Sequence, residues 1–157
     1  MAASDALTSA PGARGPAALS AAEARLGTGL RFPLRPGNGS GTGSAGAGGG
    51  GLGWVAGAAA IRQSIETVLD TEPGERVMRP TFGCGLRRHL MAPDTPATRT
   101  AIAAEIAEAL TAWEPRIRVT EVAVTPGEEP ALVWIDIAYV HLLDQRPDNL
   151  VYPFYLR

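Results

Sequence analysis

The sequence predicts an α+β fold in which about three helices pack on a small, mainly antiparallel sheet with an open edge strand at the C-terminus. Apolar residues recur at helical spacing through the middle of the chain, whereas the C-terminal part contains apolar runs separated by turn signals. The chain has 157 residues, of which 45% are hydrophobic. This length suits one domain and is too short for two of ordinary size.

Three segments have the features of helices. The first is predicted at 58–70 and the second, a short one, at 82–91. The third begins after the N-cap Thr95, with Pro96 at its first position, and ends before Pro115. The residues expected to face the core are Ile61, Ile65, Val68 and Leu69 in the first helix, Leu86 and Leu90 in the second, and Ile102, Ile106, Leu110 and Trp113 in the third.

A β-hairpin is predicted from the next two apolar runs. In 116–124 the apolar alternation changes phase, which predicts a β-bulge near Thr120 and Glu121. The run 131–142 is apolar on both faces, so we expect it to be the central strand. The short turn between the two runs favours antiparallel pairing.

The final strand is predicted at 150–156, almost at the last residue. Pro153 cannot donate a hydrogen bond to a ladder, which places the strand at an edge or at a bulge. An apolar edge with little charge is open to pairing with another chain, so we expect a partner to add a strand here. The candidate contact residues of this strand are Val151, Tyr152, Phe154 and Tyr155.

The N-terminal part of the chain is rich in small residues. We expect a disordered extension over 1–29, in which 19–26 could form a short capped helix. An extended segment and a glycine-rich loop should follow over 30–53, and the folded domain over 54–157.

Composition argues against several classes of function. The net charge is -2 and the pI about 5.7, so a nucleic-acid-binding surface, which would be basic, is not expected. The absence of a run of about 18 apolar residues argues against membrane insertion. Cys84 is the only cysteine, and His89 and His141 are far apart in the sequence. We therefore predict no disulfide, metal site or cofactor, and folding in the reducing cytoplasm.

Four acids lie close together in the sequence: Glu66, Asp70, Glu72 and Glu75. Paired carboxylates in a cleft can hydrolyse a glycoside, which makes a peptidoglycan hydrolase the enzymatic alternative. Arginines in the same loop oppose the protonated acid that this reaction needs. We therefore favour structural ion pairs and a protein without enzymatic activity.

Glu114-Pro115-Arg116 places two opposite charges around a proline at the end of the third predicted helix. The proline restricts the backbone and holds both side chains at a fixed turn. On these residues alone, a locked ion pair and a solvated linker are equal alternatives.

The stretches IRQSIETVLDTEPGERVMRPTFGCGL, WEPRI and NLVYPFYL resemble the gene-25-type baseplate wedge proteins of contractile phage tails, a group that includes the TssE subunit of type VI secretion. The resemblance extends over 52–157. It depends on the pattern T-x-P-G-E-R-x-x-x-P-x-F-G and on the later E-P-R. Within this group the chain looks most like members from extracellular contractile injection systems.

This resemblance implies a structural role in a baseplate. Family members join the wedges around the tube and template the first sheath ring by strand exchange, using a domain like the handshake domain of sheath subunits. The implied partners are sheath subunits and wedge proteins, with inner-tube or spike-hub proteins as further neighbours. An adaptor whose N-terminal extension recruits another protein is a third alternative. The implied partner-binding residues are Glu114, Pro115 and Arg116 of the E-P-R, and Pro73, Gly74, Glu75, Arg76, Pro80, Phe82 and Gly83 of the first pattern.

Overall fold

The computed structural model describes residues 25–33, 54–129 and 131–156. Within these ranges the chain forms two α-helices, one 3₁₀ turn and five strands in two antiparallel sheets. Neither described helix is long and apolar enough to cross a membrane. The helices are α1 (Ala58–Asp70) and α2 (Pro96–Trp113), and the strands are β1 (Thr28–Leu30), β2 (Trp54–Ala56), β3 (Ile117–Pro126), β4 (Leu132–His141) and β5 (Pro147–Tyr155).

The α+β class is confirmed, but the expected count of about three helices is wrong, since the described residues contain two. The segment 82–91 forms only the 3₁₀ turn Leu86–His89. Before this turn, the Cys84 N–H donates to the Thr71 carbonyl oxygen at 2.9 Å, which keeps the chain in a loop. Pro93 follows shortly after it. Too few residues remain between these points for a stable α-helix.

Both helices bury the apolar stripes that their spacing predicts. The Thr95 hydroxyl oxygen accepts a hydrogen bond from the Thr98 N–H at 3.1 Å and caps α2 as expected. The stripes pack into one core between the helices and the larger sheet. Their buried members are Ile61, Ile65, Val68 and Leu69 of α1 and Ile102, Ile106 and Leu110 of α2, with Trp113 half-buried beside them.

The larger sheet has the strand order β3-β4-β5, with every pair antiparallel. This confirms the predicted hairpin and the central position of β4. The predicted bulge is also confirmed, because the β3–β4 register shifts between Val119 and Glu121. The extra residue at the bulge shifts the alternation of side chains, so that the apolar residues before and after it face the same side of the sheet. Its four apolar residues, Ile117, Val119, Val122 and Val124, all pack against the core.

The helices cover only one face of β4, although the strand carries apolar residues on both faces. Ile135 and Ile137 point towards the helices and are fully buried. Trp134 on the opposite face is 40% exposed, and Asp136 beside it is exposed. Both described helices pack on the same side of this antiparallel sheet, which leaves Trp134 and Asp136 facing solvent.

β1 and β2 form a two-stranded ribbon beside α1. The Gln63 side chain of α1 binds this ribbon, because its Nε2 donates to the Leu30 carbonyl oxygen at 2.6 Å and its Oε1 accepts from the Phe32 N–H at 2.9 Å. Leu26, just before β1, is buried in the main core. The described structure therefore begins inside the expected extension 1–29. The rest of that extension, nearly all of the possible short helix and the glycine-rich loop lie outside the described residues.

Candidate functional site

The signature loop, residues 71–84, connects α1 to the 3₁₀ turn and is closed by backbone hydrogen bonds. At its neck the Gly74 N–H donates to the Pro80 carbonyl oxygen at 2.7 Å. At its base the Cys84 N–H donates to the Thr71 carbonyl oxygen at 2.9 Å. Two backbone hydrogen bonds in so short a segment give the loop a defined shape.

Phe82 and Gly83, both predicted to bind partners, shape this loop from inside. The buried Phe82 ring lies 5.2 Å from the Trp113 ring, and the Arg76 guanidinium lies 3.7 Å above its centre. Gly83 has a φ of 116°, and a Cβ at this position would overlap the Thr71 carbonyl group. Both residues are buried and act on the conformation of the loop.

The acids of the signature loop bind groups of this chain. The Glu72 carboxylate accepts from the Arg87 N–H at 2.9 Å. The Glu75 carboxylate accepts from the Arg87 guanidinium at 2.9 Å and from the Glu72 N–H at 3.0 Å. These contacts attach the loop to the 3₁₀ turn. Glu75 therefore contributes to the position of the loop, while Pro73, Gly74, Arg76 and Pro80 lie exposed on its surface.

The tip of the signature loop contains two residues that the sequence prediction missed. Val77 is 94% exposed and Met78 is 90% exposed. They occupy variable positions of the family pattern and belong to no helical or strand stripe. The available signal was their composition, since two adjacent apolar residues lie between arginines in a segment that is otherwise a series of turns.

The E-P-R residues form an ion pair at the junction between α2 and β3. Glu114 is 1% exposed, and its two carboxylate oxygens accept from Arg116 Nε at 2.6 Å and from Arg116 Nη2 at 2.5 Å. Burial alone would raise the pKa of Glu114, but hydrogen bonds from Arg116 and Ser64 outweigh burial and lower it. The bond to Glu114 likewise raises the pKa of Arg116. The locked pair, and not the solvated linker, is the arrangement found.

Arg116 also connects this junction to the N-terminal segment. Its Nη1 donates to the Leu26 carbonyl oxygen at 2.8 Å, and its own carbonyl oxygen accepts from the Leu142 N–H at 2.9 Å. The pair therefore joins the end of α2, the start of β3, the end of β4 and the segment before β1. Because the Glu114 carboxylate is enclosed, only Pro115 and the outer part of Arg116 face solvent at this junction.

The four candidate residues of β5 divide between its two faces. Val151 and Tyr155 are on the outer face and are about half exposed, at 50% and 51%. Phe154 is buried in the core, and Tyr152 is half-buried on the same inner face. The Tyr152 hydroxyl donates to the Asp70 carboxylate at the end of α1. Burial, together with this bond, raises the pKa of Tyr152.

Two hydrogen bonds at the ends of the β4–β5 ladder show which backbone groups of β5 face outward. The His141 N–H donates to the Arg146 carbonyl oxygen at 3.0 Å, and the Leu156 N–H donates to the Ala131 carbonyl oxygen at 2.6 Å. Both bonds continue the register of the ladder. Bonding alternates along antiparallel strands, so even-numbered residues of β5 bond to β4. The N–H and C=O groups of its odd-numbered residues point to the free edge.

Both prolines of β5, Pro147 and Pro153, fall at these outward-facing positions, so neither costs the sheet a hydrogen bond to β4. The prolines do remove two donors from the free edge. The outward N–H groups that remain in this strand are those of Asn149, Val151 and Tyr155, and the Asn149 N–H already donates to the Asp148 carboxylate at 2.9 Å. Among the described residues, no strand pairs with this edge.

A pocket of about 190 Å³ lies beside this edge, between the end of α1, the 3₁₀ turn and the inner face of β5. The base of the signature loop and β5 both contribute residues to its lining, whereas Glu114 and Arg116 do not. Its lining residues are Leu69, Leu86, Leu90, Tyr152 and Phe154, with the polar side chains of Asp70, Glu72 and Arg87.

Solved structures share this fold. A Geobacter sulfurreducens protein described as a candidate tail lysozyme is 42% identical, with a TM-score of 0.58, over 62% of this chain and 89% of its own. A chain of the anti-feeding prophage baseplate is 24% identical, with a TM-score of 0.59, over 86% of this chain and 90% of its own. The likeness to this second structure concerns the fold alone.

Sequence comparison identifies the family. The chain is 30% identical over 94 residues to baseplate wedge protein gp25 of Enterobacteria phage T4, which covers 60% of this chain and 70% of the phage protein. The family model described as baseplate wedge protein gp25 matches residues 55–146, more than half of the chain. The resemblance seen in the signature patterns is thereby confirmed, and the chain belongs to the gp25 family of baseplate wedge proteins of contractile tail-like particles.

Proposed function

We propose that this chain is a structural baseplate subunit that connects the wedge to the first sheath ring and starts sheath assembly by accepting a β-strand along the free edge of β5. The observation that carries this proposal is the open edge itself, with outward N–H groups at Val151 and Tyr155. Unpaired backbone groups on an apolar edge are a template for strand addition.

The pocket beside β5 adds side-chain recognition to this backbone template. Side chains of an added strand alternate between the two faces of the sheet, so those on the inner face would lie over the pocket. Its apolar lining, including Leu69, Leu86 and Phe154, suits an apolar side chain. The incoming strand is therefore expected to carry an apolar residue at an inward position, while Pro153 leaves one backbone bond unmade.

The signature loop and the E-P-R junction are proposed to contact the wedge proteins. Arg76 and Pro80 are the exposed members of the loop, and Pro115 and Arg116 are the exposed members of the junction. Glu114 supports this surface from inside, since its carboxylate fixes the Arg116 guanidinium.

A proline substitution tests strand addition without disturbing the core. Val151→Pro removes one outward N–H, as the native prolines of β5 do, and should leave the bonds to β4 intact. The matched control is Val151→Ser, which keeps the N–H and changes only the outer side chain. Expressed with the other genes of the particle, Val151→Pro should abolish sheathed particles in electron micrographs, and Val151→Ser should retain them. Normal sheaths from Val151→Pro, or equal loss in both variants, would refute pairing at this edge.

A peptidoglycan hydrolase is the second candidate, because the Geobacter relative is described as a candidate tail lysozyme. We infer that this chain does not act as one, since Glu72 and Glu75 hold the signature loop to Arg87 and Asp70 binds Tyr152. Purified protein should not clear a peptidoglycan suspension. Clearing by the wild type that Glu75→Gln abolishes would establish the enzyme instead.

A further inference from the structure

The tip of the signature loop holds the two most exposed large apolar side chains among the described residues, Val77 and Met78. Single exposed apolar residues are common on protein surfaces and need no explanation. Two adjacent exposed apolar residues at the tip of one loop do need an explanation, because together they place most of their apolar surface in water.

The local backbone does not require these residue types. The Arg79 N–H donates to the Arg76 carbonyl oxygen at 3.2 Å, which makes Val77 and Met78 the central pair of a β-turn. Glycine, proline, asparagine, aspartate and serine favour such positions, whereas a β-branched valine does not. Neither turn geometry nor core packing therefore accounts for the pair.

The tip is held by backbone hydrogen bonds on both sides and by a buried aromatic residue. The preceding turn is closed by the Glu75 N–H on the Glu72 carbonyl oxygen at 3.1 Å, and the neck bond between Gly74 and Pro80 holds the loop together. Phe82 anchors its far end in the core. An apolar pair held in this way loses little conformational entropy when a partner covers it.

The charge around the tip is positive. Arg76 and Arg79 flank the apolar pair, and neither forms an ion pair with any described residue. The acids of the loop, Glu72 and Glu75, are held at the 3₁₀ turn by Arg87. The same tip of a second copy would bring four guanidinium groups together, which disfavours self-association through this surface.

We propose that the Val77–Met78 tip inserts into an apolar pocket with an acidic rim on a different protein of the baseplate. The apolar pair supplies buried contact area, and Arg76 and Arg79 bind carboxylates around it, an arrangement common at the centre of interfaces. This inference uses the family membership of the chain, and it holds whether or not β5 accepts a strand.

A pair of double variants tests the proposal in particles expressed from their complete gene set. Val77→Ser/Met78→Ser should reduce the amount of this chain in purified baseplates by about tenfold or more, the effect of losing a central anchor. The control is Met91→Ser/Leu143→Ser, which alters two apolar residues outside the signature loop that are 82% and 48% exposed. It should leave incorporation unchanged. Equal incorporation of the two variants would overturn the proposal.

Crosslinking identifies the partner and does not depend on sheath formation. Benzoylphenylalanine introduced in place of Met78 should give, on irradiation of intact particles, one adduct with another baseplate protein. The crosslinked peptide should contain apolar residues near Asp or Glu, and Arg76→Glu/Arg79→Glu should abolish the adduct. An adduct with a second copy of this chain, a peptide without acids, an adduct that survives charge reversal, or no adduct would each refute the inference.

Discussion

The buried ion pair at the α2–β3 junction predicts that its two members contribute unequally to stability. Glu114 is almost fully enclosed, with 2% of its side chain exposed, whereas 34% of the Arg116 side chain is exposed. Arg116→Ala leaves a carboxylate inside the protein without its main partner. Glu114→Gln leaves a guanidinium that water can reach. The first change should therefore be the more damaging one.

The magnitudes follow from this asymmetry. Deleting one partner of a buried ion pair costs about 3–5 kcal/mol, and the partial exposure of Arg116 favours the lower end. We expect Arg116→Ala to lower the free energy of unfolding by about 3 kcal/mol and Glu114→Gln by about 1–2 kcal/mol. The double variant should cost less than the sum, because it no longer buries an unpaired charge. Urea unfolding of the purified chain at neutral pH measures all three.

The pH dependence provides a second test of the same pair. Hydrogen bonds from Arg116 and Ser64 outweigh burial and lower the pKa of Glu114 below its usual 4.5. The unfolded chain therefore takes up this proton first, so the stabilisation is complete above about pH 4.5 and is lost as the pH falls through the lower folded-state pKa. In Arg116→Ala burial remains without the opposing arginine. Its deficit relative to wild type should shrink as the pH falls from about 7 to 4.

An exposed ion pair serves as the control. Arg88 binds Glu105 at 2.6 Å, but 62% of the Arg88 side chain is exposed, so Arg88→Ala should cost less than about 1 kcal/mol. Equal destabilisation by Arg116→Ala and Glu114→Gln, strict additivity in the double variant, or a deficit independent of pH would show that the Glu114 carboxylate is not a buried charge that depends on Arg116.

Three further predictions concern single residues. Gly83→Ala should lower the free energy of unfolding by roughly 3 kcal/mol, because the new Cβ meets the Thr71 carbonyl group at a positive φ; Gly74→Ala, also at positive φ but with open space around it, should cost only about 1–2 kcal/mol in the same urea assay. Burial raises the pKa of the Cys84 thiol to about 12, so Ellman's reagent at mildly alkaline pH should label it only after unfolding, and rapid labelling of the native chain would contradict this. Thr95→Ala should cost about 1 kcal/mol through loss of the α2 cap, measured by thermal unfolding against Thr95→Ser, which keeps the hydroxyl.

The sequence by itself determined those features that depend on residues close together in the chain. The stripes of α1 and α2 follow from helical spacing, and Thr95 and Pro115 mark the ends of α2 because caps and prolines act within one turn. The change of phase in β3 indicated the bulge near Glu121, since alternation has a fixed period of two. The family patterns were equally local, and they were sufficient to identify a baseplate wedge protein.

Only the tertiary structure decided which side chains are enclosed and which face solvent. Trp134 and Ile135 are adjacent apolar residues of β4, yet one is exposed because the helices cover a single face of the sheet. Glu114 is enclosed where Ser64 of α1 and Arg116 bind its carboxylate, while Val77 is left at the tip of a closed loop. Burial depends on what packs against a residue from distant parts of the chain, and neither spacing nor composition within a short segment contains that information.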